Sequence, residues 1–123
     1  MSKTRDLKTK IKEVINLSCP SVYDEIAPDK VTFPYVIFSV ESIRAYDMEN
    51  YQLEVNCYDY GTDTARVDDL ADTIENTLKA YTYINEDMQF RTFLSVRNSI
   101  MEEDKKIRRK RLLFDLYYFE RRI

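Results

Sequence analysis

The chain has 123 residues, 44% of them hydrophobic and 33% charged, with a net charge of −3. That length supports one domain with one hydrophobic core, spanning 1–123, and that balance fits a folded chain rather than a disordered one. With no histidine, one glycine and two cysteines, the sequence excludes Ser-His-Asp and Cys-His nucleophile activation, a four-ligand Cys/His zinc site, a P-loop and a dinucleotide fingerprint.

Met1-Ser2-Lys3-Thr4-Arg5-Asp6 runs into alternating charges rather than an apolar signal segment. No apolar run approaches the roughly 20 residues that span a bilayer. These features lead us to expect a protein of the cytosol, or one assembled there, with Cys19 and Cys57 reduced and serving as small core residues.

Leu7, Ile11, Val14 and Ile15 recur at helical spacing, with Lys8, Lys10, Lys12 and Glu13 on the remaining face. This predicts a helix over Thr4–Leu17, closed by Pro20, which bars Cys19 from the helical region. Ser21 to Phe33 reads as turn-like, with a short extended piece at Val22 and Tyr23. A strand opens at Phe33, tolerates Pro34 at its start and runs to Tyr46. Asp47 to Asn50 has hairpin-turn chemistry. Tyr51 to Tyr58 resumes a strand, where Leu53, Val55 and Cys57 alternate with Gln52, Glu54 and Asn56. One face of this sheet is therefore expected to be buried and the other wet.

Gly61-Thr62-Asp63 breaks that strand and caps a second helix, Thr64–Ala80, whose apolar stripe is Val67, Leu70, Ala71, Ile74 and Leu78. Its acidic N-terminal end and Lys79 suit the helix dipole. Tyr81 to Asp87 reads as irregular. Met88 to Met101 reads as a strand with Phe90, Thr92, Leu94, Val96 and Asn98 on one face. Glu102 to Lys105 is a charged turn. Ile107 to Arg121 is a last strand, with Leu112, Phe114, Leu116 and Tyr118 on one face and Leu113, Asp115, Tyr117 and Phe119 on the other. The order α-β-β-α-β-β defines an α+β fold: a small, mainly antiparallel sheet with two helices packed on it.

Charge is segregated along the chain. Residues 1–22 sum to +3, residues 23–104 to −12 and residues 105–123 to +6. Such a chain either pairs its own ends against its middle or lays one copy's basic end against the next copy's acidic body. The last strand is apolar or aromatic on both faces towards its end, so a neighbour or the subunit itself must cover it. A projecting hairpin with an aromatic outer face suits a tile in an assembly, as does an excess of tyrosine and phenylalanine.

Asp68, Asp69, Asp72 and Glu75 resemble a carboxylate cluster but read as the solvated face of the second helix. No metal or cofactor is expected. Lys105-Lys106-Ile107-Arg108-Arg109-Lys110-Arg111, followed by Tyr117, Tyr118 and Phe119, offers a phosphate-contacting patch with stacking platforms. Strand alternation halves its density on either face, and the acidic body opposes a polyanion. Charge pairing with a neighbouring subunit or another partner is the stronger reading. A carboxylate-based hydrolase stands last, and no enzymatic activity is expected.

Taken together, Ala27-Pro28, Phe33-Pro34-Tyr35-Val36-Ile37-Phe38, Tyr51-Gln52-Leu53-Glu54-Val55-Asn56-Cys57-Tyr58-Asp59, Val67-Asp68-Asp69-Leu70-Ala71-Asp72-Thr73-Ile74-Glu75 and Arg111-Leu112-Leu113-Phe114-Asp115-Leu116-Tyr117-Tyr118 span nearly the whole chain. In this order they resemble the tail terminator (tail-completion, head–tail joining) proteins of siphophages and myophages. The resemblance implies a ring, commonly a hexamer, that ends the tail tube and docks to the head-completion complex, with DNA only as passing cargo. It places the protein in the virion tail or neck, and in the host cytoplasm during assembly. Its partners would be itself, tail-tube protein and head-completion protein, with no membrane. A head-closure or connector protein of the same neck and a small nucleic-acid-binding regulator stand as alternatives.

On this reading Arg109, Arg111, Tyr117 and Phe119 of one copy face Glu54, Tyr58 and Asp72 of the next. The tips Asp47, Glu49 and Asn50, and Glu102, Glu103 and Asp104, meet neighbouring rings or line the channel.

Overall fold

The computed structural model describes residues 3–45 and 48–120, with side chains throughout except at 44, 45, 48, 49 and 120. The elements are α1 (Lys3–Asn16), β1 (Val22–Asp24), β2 (Tyr35–Ala45), β3 (Met48–Tyr60), α2 (Ala65–Leu78), β4 (Ala80–Ile84), β5 (Met88–Met101) and β6 (Ile107–Glu120). They form one six-stranded sheet in the order β1-β2-β3-β6-β5-β4. β1 pairs with β2 in parallel, and every other pair is antiparallel. The fold is α+β as expected, but the sheet is mixed and carries six strands where the pattern gave four.

The predicted apolar stripes of both helices are buried. They lie on the face of the sheet built by Val36, Phe38, Val40, Leu53, Val55, Phe90, Leu112, Phe114 and Leu116, and the whole set forms one core. At α1's C-terminus the amides of Ser18 and Cys19 both reach the Ile15 carbonyl before Pro20 stops the turn. At α2's start the N-cap residue is Thr64, whose side chain makes no capping hydrogen bond, and the Asp63 carboxylate just before it accepts the Ala65 amide at 3.1 Å. The buried Thr92 hydroxyl donates to the Leu78 carbonyl at 2.6 Å, so β5 satisfies an end-of-helix acceptor. Among the described residues no helix is long and apolar enough to cross a membrane.

Four expectations are corrected. β2 begins at Tyr35 rather than Phe33, because Pro34 has no amide for the ladder. Glu49 and Asn50 are not turn residues: β3 begins at Met48 and pairs Asn50 with Ile43. Ala80 to Ile84, expected as helix end and irregular chain, form the edge strand β4 against β5. The face assigned to β5 switches at a bulge between Leu94 and Val96. One extra residue reverses the numbering parity, so Val96 and Asn98 are exposed on the open face while Arg97 turns towards α2.

β6 does not project. It lies between β3 and β5, paired with both along nearly its whole length.

Candidate functional site

With both helices on one side, the other face of the sheet is open, and the registers decide what stands on it. Alternate positions of β6 divide the basic run. Arg108 and Lys110 point to the helix layer, where the Arg108 guanidinium donates to the Gly61 and Thr62 carbonyls at 3.2 and 2.9 Å. The Lys110 ammonium lies 3.2 Å from Asp68. Arg109 and Arg111 stand on the open face opposite Tyr58 and Asn56 of β3.

On that face Arg111 Nε donates to Glu54 at 2.8 Å, and the Asn56 side-chain amide donates to the other Glu54 oxygen at 3.0 Å. Arg109 Nε donates to Asn56 Oδ1 at 3.0 Å and its Nη1 to Glu102 at 3.1 Å. The Arg109 guanidinium lies 5.5 Å from the Tyr58 ring centre, and Tyr58 stacks on Tyr35 at 4.8 Å. Phe33 extends this aromatic row to Tyr60. Burial pushes the Glu54 carboxyl up, but the Asn56 amide, Arg111 and Arg109 outweigh it and hold the group below its ordinary value. Burial chiefly pushes the Tyr58 phenol up, against the pull of Arg109.

The other end of the open face is apolar. Phe93 meets Tyr117 edge to face at 5.8 Å. Gln89, Arg91, Phe93, Tyr117 and Phe119 line a shallow groove, with Phe93 41% and Phe119 45% exposed.

The structure thus brings Arg109, Arg111, Glu54, Tyr58 and Glu102 into one network within a single chain, with Tyr117 and Phe119 on the same face. Asp72 does not join them. It sits on α2, on the other side of the sheet, where Arg97 holds it at 2.6 Å and Glu75 at 3.0 Å. The two sets of tips lie at opposite ends of β6: Asn50 is level with Tyr117, whereas Glu102 to Asp104 make the β5–β6 turn. In that turn Asp104 accepts the Lys106 amide at 3.0 Å, and Glu103 is exposed. The backbone of Glu49 lies in β3, and Asp47 falls outside the described residues.

Asn56, Tyr35, Phe93 and Arg97 belong to these constellations and were not singled out by sequence. Only β-register and the β5 bulge reveal them, and of these only the β3 alternation was readable. Among the described residues no three Cys, Asp or Glu side chains converge as a metal-ligand group. The side chains of Arg108 to Arg111 are thus divided between the two faces of the sheet, and each has a partner within the chain.

The architecture defines a class: a mixed six-stranded α+β sheet with two helices on one face and a charged, aromatic open face. No protein-family model matches the chain, and no curated protein matches it. Among solved structures the fold is similar to that of a chain in the virion of a native gene transfer agent (GTA) particle, with a TM-score of 0.67. The likeness covers 90% of this chain and 87% of that one at 14% identity, a level at which the shared feature is the fold.

Proposed function

We propose that this chain is a non-catalytic structural virion protein that forms a ring ending a phage tail tube and joining it to the head-completion complex. The observation carrying this reading is that a chain from a virion has the same fold over nearly the full length of both chains. The sequence resemblance to tail terminators narrows the virion role to the end of the tail.

A ring closes through a heterologous interface, which needs two different patches on each subunit. The candidate residues divide in that way. Arg109, Arg111, Glu54, Tyr58, Tyr117 and Phe119 lie on the open face, while Asp72 lies on the acidic helix layer. We place the open face of one copy against the helix layer of the next.

The test is to image the purified protein by negative stain, alone and with soluble tail-tube protein. Rings or capped tube ends are expected. Binding to head-completion protein without tube capping would favour a head-closure role instead. A strict monomer that shifts DNA with a steep salt dependence would overturn the proposal.

A further inference from the structure

We infer that two copies of this chain pair through β4, antiparallel and two-fold symmetric about Thr82, so that the sheet continues from one copy into the next. β4 is a sheet edge, hydrogen-bonded to β5 alone. The Asn85 amide donates to the Met88 carbonyl and the Leu94 amide to the Lys79 carbonyl, which sets the odd-numbered residues facing β5. Ala80, Thr82 and Ile84 therefore turn their amides and carbonyls outward. All three residues are exposed, and their backbone groups have no partner among the described residues.

Edges are ordinarily guarded by charge, proline or a bulge. Ala80-Tyr81-Thr82-Tyr83-Ile84 has none of these, and four of its five residues, all but Ala80, favour strands. The opposite edge, β1, is guarded. It has three residues, ends at Asp24 within 3.5 Å of Lys8, and is followed by Glu25 at φ 66°, where the chain turns away.

The occupant is a second copy because β4 is complementary to itself. An antiparallel register with Thr82 opposite Thr82 sets Ala80 opposite the second copy's Ile84. All three outward residues then fall in hydrogen-bonded pairs, each exchanging two bonds. On the helix side Tyr81 meets the second copy's Tyr83, extending the ring contacts both tyrosines make with Phe90. On the open side Ile84, 54% exposed, lies over the small Ala80 of the second copy, beside the exposed Phe93. Lys79 and Glu86 flank the strand, both exposed and without an ion pair among the described residues. This register brings each within reach of its opposite charge at both ends of the junction. The contact uses an edge rather than either face assigned to ring closure, and it does not rest on the ring reading.

Sedimentation velocity over a range of concentrations, below those at which rings form, is expected to show a monomer–dimer equilibrium. Thr82→Pro removes an amide that makes no bond within its own chain, so it should abolish the dimer while leaving circular dichroism unchanged, and leaving melting unchanged at concentrations where the wild type is monomeric. Thr82→Cys should form a disulfide-linked dimer, since paired Cα atoms lie about 5.5 Å apart. Arg91→Cys, one strand further from the junction in each copy, should not, and native Cys19 and Cys57 are buried. Lys79→Glu should raise the dimer Kd about 5–10-fold, and adding Glu86→Lys should restore it. A wild-type monomer throughout, a Thr82→Pro dimer, or equal cross-linking of the two cysteine variants would overturn the inference.

Discussion

Asp59 leaves β3 on the helix side, 4% exposed, and receives two hydrogen bonds from the Arg66 guanidinium in the first turn of α2. These bonds chiefly hold its carboxyl below the ordinary value, burial opposes them, and the Tyr60 amide adds to the lowering. A carboxyl with a depressed folded pKa contributes stability above its unfolded pKa, and that contribution fades as pH falls through the folded value. Asp59→Asn is expected to lose about 1–3 kcal/mol at neutral pH in urea unfolding. It should also flatten the stability decline below about pH 4, and an unchanged acid limb would refute this account. Glu54, also held low, acts in the same direction. The cysteines behave otherwise: burial first, and Cys19 second, push the Cys57 thiol up to about 12, and burial raises Cys19 as well. Neither thiol should react with an aromatic disulfide reagent in the folded protein at neutral pH, and both should react on unfolding. Rapid native labelling would contradict the packing described.

The bulge in β5 decides how the strand meets α2. By turning Arg97 inward it lets one guanidinium hold Asp72 and Glu75, a turn apart on the helix. Arg97→Ala should cost about 0.5–1.5 kcal/mol in urea unfolding without altering the circular dichroism spectrum; no loss would show the clamp to be ornamental. Sequence alone could not foresee this clamp, because period-two alternation carries no mark of an extra residue. The helix stripes Leu7–Ile15 and Val67–Leu78 were legible because helix period and burial agree at every position. The β6 face Leu112–Tyr118 was legible for the same reason in period two. β4 was not, since a five-residue edge follows α2 directly and its only inward anchors are two half-buried tyrosines. The open-face network was half legible. Arg109, Arg111, Glu54 and Tyr58 were singled out, but as facing sets on two neighbouring copies; their pairing inside one chain depends on the register of strands more than 50 residues apart.

Over the whole molecule, the charge split between a basic C-terminal segment and an acidic middle is in part resolved internally, through Arg109, Lys110 and Arg111. What remains for a neighbour on the open face is the aromatic end, where Phe119 and Phe93 stay exposed, and a network already ordered before any partner arrives. Preordered arginine and tyrosine lose little freedom on docking, which suits an interface. Reversing Arg109 and Arg111 to glutamate tests the contact, but it also breaks intrachain pairs, so a loss of rings could follow from a loosened fold. Phe119→Ser separates the two effects. Its side chain is 45% exposed near the end of β6, and melting should therefore move by no more than a few degrees. If the open face meets the next subunit, this variant should remain folded and monodisperse yet fail to form rings or cap tubes in negative stain. Rings that survive both Phe119→Ser and the double arginine reversal would remove the open face from the interface, and tube capping by wild-type protein would then have to proceed through the helix layer and the strand tips.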